Sequence, residues 1–282
     1  MKKIIIPTDF SSNAYNAIAY ALQLFANQKC HFFLVHAYSP PMPEPSNTMT
    51  SANTAKQLME VSRKSAQDGL REVQDQINRS FHNPDHSFES IAAYGFLTDV
   101  IEEIGKEKQA DLVVMGTKGA SGIKELFLGS NTARVISTST FSLIVVPETA
   151  IYEPFKEISF LTDYDYYFER SELKPLLDLL HQTGAELHVV HVLEKGDTLS
   201  KEKDLVRKHL HDLIKPIKVA YHLLTDKSLE RAATLFIQSR NVELLCMVTK
   251  KHSFLDRLFK KLNTRDMSLH SKTPMLVLRR EK

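Results

Sequence analysis

The chain of 282 residues states one pattern twice, and that duplication constrains its fold more than any other feature. Glu157-Ile158-Ser159-Phe160-Leu161-Thr162-Asp163 echoes Lys3 to Asp9, each an apolar run ending in Thr-Asp. Glu186 to Val192 echoes His31 to Ala37. Further on, the two halves align without a gap at a shift of 132 residues. Under that shift Asn131-Thr132 meets Asn263-Thr264, Phe127 meets Phe259, and Leu143 to Val146 meets Met275 to Leu278. A period this long is a duplicated domain, not a solenoid repeat. The copies span residues 1–148 and 155–282, with a hinge near Glu148 to Phe155, bracketed by Pro147 and Pro154.

Each copy alternates short apolar runs with helical patterns. In the first, Lys3 to Pro7 reads as a strand. Ala14, Ile18, Ala21, Leu22 and Phe25 then recur at helical spacing, capped by Ser11 or Ser12. His31 to Tyr38 is a second strand, and the proline-rich stretch Ser39 to Asn53 is a loop. A charged helical pattern runs from Thr54 to about Asn78. Phe88 to Tyr94 is a strand, Leu97 to Lys108 a helix, Asp111 to Met115 a strand, and Ser142 to Pro147 the fifth. The fold class expected is α/β: two tandem Rossmann-like, doubly wound domains, each a five-stranded parallel sheet flanked by helices. In such sheets ligands bind at the carboxyl ends of the strands, where Asp9, Ala37 and Gly116 fall.

The most informative local stretch follows Asp111 to Met115. Gly116, Gly119 and Gly129-Ser130 punctuate a loop, and Ser130-Asn131-Thr132 opens a helical pattern. Glycines let backbone amides approach an anion, and a helix start adds its positive dipole end. Strand end, glycine loop and helix start together read as a phosphate site, although the spacing matches neither common phosphate motif.

The pattern Gly116-x2-Gly119-x9-Gly129-Ser130 resembles the nucleotide-binding signature of the universal stress protein family. Ile4 to Ser11 is similar to that family's first strand and turn, and Phe33-Leu34-Val35-His36-Ala37 to its second strand. The resemblance implies an adenine nucleotide, ATP or else AMP or ADP, with Mg²⁺. It implies that Asp9 lies at the nucleoside end with Pro7 and Thr8 on the same wall, and that Ala37 stands where backbone groups read adenine. Met115 and Gly116 would flank the ribose, and Gly119, Gly129, Ser130, Asn131 and Thr132 would hold the phosphates. It further implies a pseudo-dimer of the two copies through their last strands, association of two chains as a homodimer, and a regulatory protein partner in stress response. Two positions carry two readings: Asp9 also reads as a carboxylate that orders the turn or caps the helix, and Lys118 reads either as a cation for the terminal phosphates or as a solvated loop lysine.

The second copy departs where this chemistry would sit. Gly116, Gly119, Gly129 and Ser130 are replaced by Val248, Lys251, Lys261 and Leu262, which fill the space of a phosphate. Its loop is basic, with Lys250, Lys251, His252, Arg257, Lys260, Lys261 and Arg265, and reads as a solvated surface. His36 and His191 recur at one strand position and read as structural; His82 and His86 straddle a turn with Asp85.

A net charge of +2 gives no argument for nucleic acid, and no apolar run is long enough to span a membrane. Cys30 and Cys246 read as reduced core thiols, which suits a cytoplasmic protein. No nucleophile-elbow or zinc-protease motif is present, so catalysis beyond slow ATP hydrolysis is not expected. The alternatives to a nucleotide-binding regulator are a nucleotide-independent interaction module and a slow ATPase.

Overall fold

The computed structural model describes residues 1–39, 52–117, 129–193, 196–248 and 272–280. These divide into two compact units, one of residues 1–117 and 129–141, the other from Ser142 onward. The first unit runs β1 (Lys2–Pro7), α1 (Ser12–Leu24), β2 (Cys30–Tyr38), α2 (Ala52–Ser80), β3 (His86–Tyr94), α3 (Leu97–Lys108), β4 (Leu112–Gly116), α4 (Ser130–Thr138). The second runs β5 (Leu143–Val146), β6 (Glu157–Leu161), α5 (Arg170–Thr183), β7 (Glu186–Leu193), α6 (Lys201–Ile214), β8 (Val219–Thr225), α7 (Leu229–Arg240), β9 (Leu244–Val248), β10 (Met275–Leu278).

Strands of the first unit pair in the order β3-β2-β1-β4, all in parallel. The second unit repeats this order as β8-β7-β6-β9, again parallel. Beyond β9 comes β10, parallel to it, and then β5, antiparallel to β10 with Ile144 opposite Leu276. The last strand of the first sequence copy therefore lies beside the last strand of the second, within the second unit. This is a mixed α/β architecture with mostly parallel strands and, among the described residues, seven helices.

Continuous apolar runs become central strands because both faces are covered. Ile4, Ile5 and Ile6 of β1 and Leu143 to Val146 of β5 are entirely buried. α1 begins where Ser11 accepts a hydrogen bond from the Ala14 amide, and it buries Ala14, Ala17, Ile18 and Ala21 along one stripe. α6 escaped the sequence reading, although Val206, Leu210 and Ile214 recur every four residues and are its buried face. Most of its other positions are Lys, Arg, Asp, Glu or His, so the apolar stripe was a faint signal.

Both cysteines are buried and free. Burial pushes the Cys30 thiol up to about 11 and raises Cys246 as well, so neither offers a thiolate at neutral pH. No helix among the described residues is long and apolar enough to cross a membrane. Most of the loop from Ser39 to Asn53, and the basic residues from Lys250 to Arg265, lie outside the described residues.

Candidate functional site

The strand order reverses at β1: the chain moves outward to β2 and β3, then returns on the other side as β4. The carboxyl ends of β1 and β4 therefore flank a topological switch point, the place where open α/β sheets carry ligands. Pro7 and Thr8 close β1 and are buried. The Thr8 amide donates to the Val35 carbonyl at 2.8 Å, carrying the ladder one residue past the strand.

The turn after Thr8 is tightly specified. The Phe10 amide donates to Thr8 Oγ1 at 3.1 Å, and Phe10 takes a left-handed φ of 68°. Such a backbone costs a non-glycine residue on the order of 1–3 kcal/mol, so its neighbours must hold it. His36 does so from the end of β2. Its Nδ1 lies 2.7 Å from the Thr8 carbonyl, which can only accept, so Nδ1 carries the proton. The imidazole stacks on the Phe10 ring with centroids 4.3 Å apart. The structural reading of His36 therefore agrees with the geometry.

Asp9 accepts through Oδ1 from the Ser11 amide at 3.1 Å and the Ser11 hydroxyl at 2.6 Å. Ser11 Oγ in turn accepts from the Ala14 amide at 3.2 Å. The carboxylate thus orients the cap of α1, one of the two roles that the sequence left open. Ser11→Ala is expected to cost about 1 kcal/mol of stability, as lost N-caps do. Asp9→Asn keeps an acceptor at the same place and is expected to cost less than about 0.5 kcal/mol. Urea unfolding of the two variants checks the ranking; equal losses would mean that the Asp9 charge matters as much as the cap.

Gly116 ends β4, and its lack of a side chain has a specific cause. A Cβ there would collide with Oδ1 of Asn13, a buried residue in the first turn of α1. From the other side the buried Thr132 hydroxyl donates to the Gly116 carbonyl at 3.0 Å. Gly116 is thereby gripped by α1 and α4 together. The Gly129 amide donates to the Thr117 carbonyl at 2.6 Å, tying the residue after β4 to the cap of α4. Gly129 as N-cap offers no side chain, so the first-turn amides of Ser130, Asn131 and Thr132 face no capping group of their own. Ser130 and Asn131 are exposed.

The candidate residues thus separate into groups. Pro7, Thr8 and Asp9 end β1; Ala37, opposite Ala93 of β3, ends β2; Met115, buried, and Gly116 end β4; Gly129, Ser130, Asn131 and Thr132 start α4. Gly119 and Lys118 lie outside the described residues. Sequence reasoning missed Asn13 and Phe10. Asn13 left no signal, because its partner Gly116 is remote in the chain. Phe10 did leave one: an aromatic follows Thr-Asp in both copies.

The second copy reproduces the turn. The Thr162 amide reaches the Val190 carbonyl, the Tyr164 amide reaches Thr162 Oγ1, and His191 Nδ1 lies 2.8 Å from the Thr162 carbonyl. Tyr164 has the matching φ of 54°. The difference is closure: Tyr164 and His191 are 2% and 3% exposed, whereas Phe10 is 39% exposed. The His82–Asp85–His86 turn is also structural, since His86 Nε2 lies 3.0 Å from the Phe25 carbonyl. Among the described residues no cluster of three His, Cys, Asp or Glu side chains is set for a metal.

Parallel strands ordered about a switch point, with helices packed along the sheet, define a doubly wound, Rossmann-like protein. The family model described as "Universal stress protein family" matches residues 1–147, half of the chain, and the protein belongs to that family. Universal stress protein MJ0531 of Methanocaldococcus jannaschii is 26% identical over 148 residues, covering 51% of this chain and 81% of that one. Universal stress protein YxiE of Bacillus subtilis is 24% identical over 145 residues, covering 51% and 97%. A solved universal stress protein from Archaeoglobus fulgidus aligns over 99% of this chain and 98% of its own, with a TM-score of 0.69 at 18% identity, which shows a shared fold.

Proposed function

We propose that the chain is a regulatory stress protein that binds ATP, or the related ADP or AMP, in its first copy, residues 1–148. The observation that carries this reading is the start of α4. Its first turn is tied to the end of β4, and it is capped by a glycine that contributes no competing acceptor. Its first-turn amides and the helix dipole suit a phosphate chain. Met115 and Gly116 would border the ribose, and Pro7, Thr8, Asp9 and Ala37 the nucleoside end. A Mg²⁺ ion would be carried by the phosphates, whose charge it neutralises. No catalytic group is assigned, and occupancy would act by biasing a contact with a protein partner in the cytoplasm.

The second copy, residues 155–282, is read as a degenerate partner without this site. The antiparallel pairing of β5 with β10 supports two copies joined as a pseudo-dimer through their last strands, and two chains associating further is part of the same reading. Equilibrium dialysis with labelled ATP and Mg²⁺ is expected to show about one nucleotide per chain. No binding at millimolar nucleotide would overturn the proposal.

One observation favours the interaction-module reading instead: Thr132 Oγ1 and Asp9 Oδ1 are already engaged within the fold. On that reading bulky replacements of Gly119 and Gly129 would leave the cellular role intact.

A further inference from the structure

We infer that β8 is a self-complementary edge strand that pairs antiparallel with β8 of a second copy of this chain, on a twofold axis at His222. This rests on the association of two chains proposed above and gives it a surface; it does not depend on whether the first copy holds a nucleotide.

The sheet order gives β8 a neighbour on one side only, β7. That ladder fixes the direction of the remaining backbone groups. The Leu187 amide donates to the Lys218 carbonyl at 3.5 Å, and the Asp226 amide donates to the Leu193 carbonyl at 3.1 Å. Alternate residues of a strand turn both backbone groups to the same side. Even-numbered residues from Lys218 to Asp226 therefore serve β7, while Val219, Tyr221, Leu223 and Thr225 turn their amides and carbonyls outward. Among the described residues no backbone partner meets these outward groups.

Sheets commonly protect such an edge with a charged side chain, a proline or a bulge. Val219 to Thr225 contains no Lys, Arg, Asp, Glu or Pro, and its register with β7 runs unbroken from end to end. None of its residues is buried, and Leu223 is 50% exposed. β3, which also has a neighbour on one side only, differs: it carries Glu89, ion-paired with Lys108 at 2.9 Å. An unprotected edge left bare is a template for aggregation, so β8 belongs in an interface.

The segment around β8 is complementary to itself when reversed, and this selects a second copy as the occupant. With His222 facing its own counterpart, Tyr221 meets Leu223 and Val219 meets Thr225, so every outward amide finds an outward carbonyl. The same register sets Lys218 of each chain opposite Asp226 of the other. The Lys218 side chain is 85% exposed and meets Glu186 only at 3.6 Å, and Asp226 meets Arg231 only at 3.7 Å. Sliding the pairing by two residues in either direction leaves an outward residue unmatched and separates these charges. The same operation on β3, centred on Ser90, sets Asp85 opposite Gly95 and pairs no opposite charges. Tyr221 is already fixed for the contact by α6, with His211 Nδ1 3.2 Å from its hydroxyl and Arg207 over its ring.

Sedimentation equilibrium of the full chain and oxidative crosslinking of cysteine variants test the inference. The wild-type chain is expected to be a dimer at micromolar concentration. Leu223→Lys places a charge on the free edge and is expected to weaken the dimer at least about tenfold, with the monomer still folded by circular dichroism. Lys218→Glu is expected to weaken it as well, and Ser90→Lys on β3 to leave it unchanged. His222→Cys is expected to crosslink to its own copy on mild oxidation. Ala220→Cys and Leu224→Cys are expected to crosslink when mixed and not separately, since each faces the other across the axis. Cys30 and Cys246 are buried and do not compete. A monomeric wild-type chain would overturn the inference and the association of two chains with it, leaving the nucleotide reading to the dialysis experiment. A dimer unchanged by Leu223→Lys and Lys218→Glu would overturn the role of β8 alone. Open-ended association, or a loss on Ser90→Lys, would overturn the twofold pairing in favour of head-to-tail contacts through β3.

Discussion

Gly116→Ala is expected to lower the unfolding free energy by about 1–3 kcal/mol, although the same exchange usually stabilises a chain. Added side-chain atoms in a packed interior force neighbours off their preferred positions at about that cost. Here the obstruction is the Asn13 carboxamide, buried under the first turn of α1, with Thr132 holding the Gly116 carbonyl from the opposite side. Neither neighbour can retreat without loosening the attachment of a helix to the sheet. Gly116→Val, which installs the residue found at the matching position of the second copy, is expected to cost more. Urea unfolding of Gly116→Ala, Asn13→Ala and the double variant separates steric conflict from lost glycine flexibility. Steric conflict predicts that the double variant is more stable than the sum of the single losses allows, with a coupling of about 1 kcal/mol or more. Strict additivity would mean that the glycine is needed for something other than room for Asn13. The same substitution tests the site, because Gly116 stands between the strand end and α4. ATP affinity should fall in Gly116→Val beyond what its stability loss explains.

The second large effect is a loss of stability on mild acidification, centred in the second unit. Three histidines there are held below the usual histidine pKa. For His188 the main cause is burial, with Arg240 and Lys218 acting in the same direction and Glu157 and Glu186 opposing. For His222 it is burial, then His188 and Arg240, again opposed by Glu157 and Glu186. For His191 it is burial, aided by Lys203 and offset by the Thr162 carbonyl, Asp163 and Asp165. The geometry agrees with these directions. His188 Nδ1 lies 3.0 Å from His222 Nε2, so one ring must donate and the other accept, and protonating both facing nitrogens removes the acceptor. Arg240 binds both oxygens of Glu157 at 2.7 and 2.9 Å and points Nη2 at His188 from 3.4 Å, which leaves little attraction for a further cation.

The sign follows from proton counting. The unfolded chain protonates these rings near the ordinary value of about 6.5, and the folded chain only at lower pH. Between those values the unfolded state holds more protons, so stability is full above about pH 6.5 and falls as pH drops toward the depressed native values. The slope is at most about 1.4 kcal/mol per pH unit for each ring. Unfolding midpoints measured from pH 8 to pH 5 check the trend. His188→Gln should flatten it; an unchanged slope would place the titration elsewhere.

Much of the fold was legible because its determinants are local. Leu97 to Lys108 was read to the residue, since its apolar positions, acidic first turn and basic last turn all lie within one short segment. The parallel strands were legible from unbroken runs such as Ile4-Ile5-Ile6 and Leu143 to Val146, which sit fully buried. The site was legible only in outline. Glycines and a helix start announced an anion-accepting loop, but one glycine was explained by a buried neighbour, and the threonine offered as a donor proved to brace the strand end. The pairing of β5 with β10 could not be read from either segment alone, because two short apolar strands carry no mark of the partner or direction they will adopt.

Periodicity and turn chemistry act over a few residues, so the sequence by itself determined the elements, their alternation and the doubling of the pattern. Which side chain fills the space over a given backbone atom depends on segments far apart in the chain. Tertiary structure therefore decided that Asn13 occupies the room left by Gly116, that Phe10 packs between His36 and Gly69 and stays partly exposed while Tyr164 is closed, and that His188, His222, Arg240 and Glu157 meet. The physical reason is packing: contacts of this kind form only after the local elements have been brought together, and no local pattern encodes them.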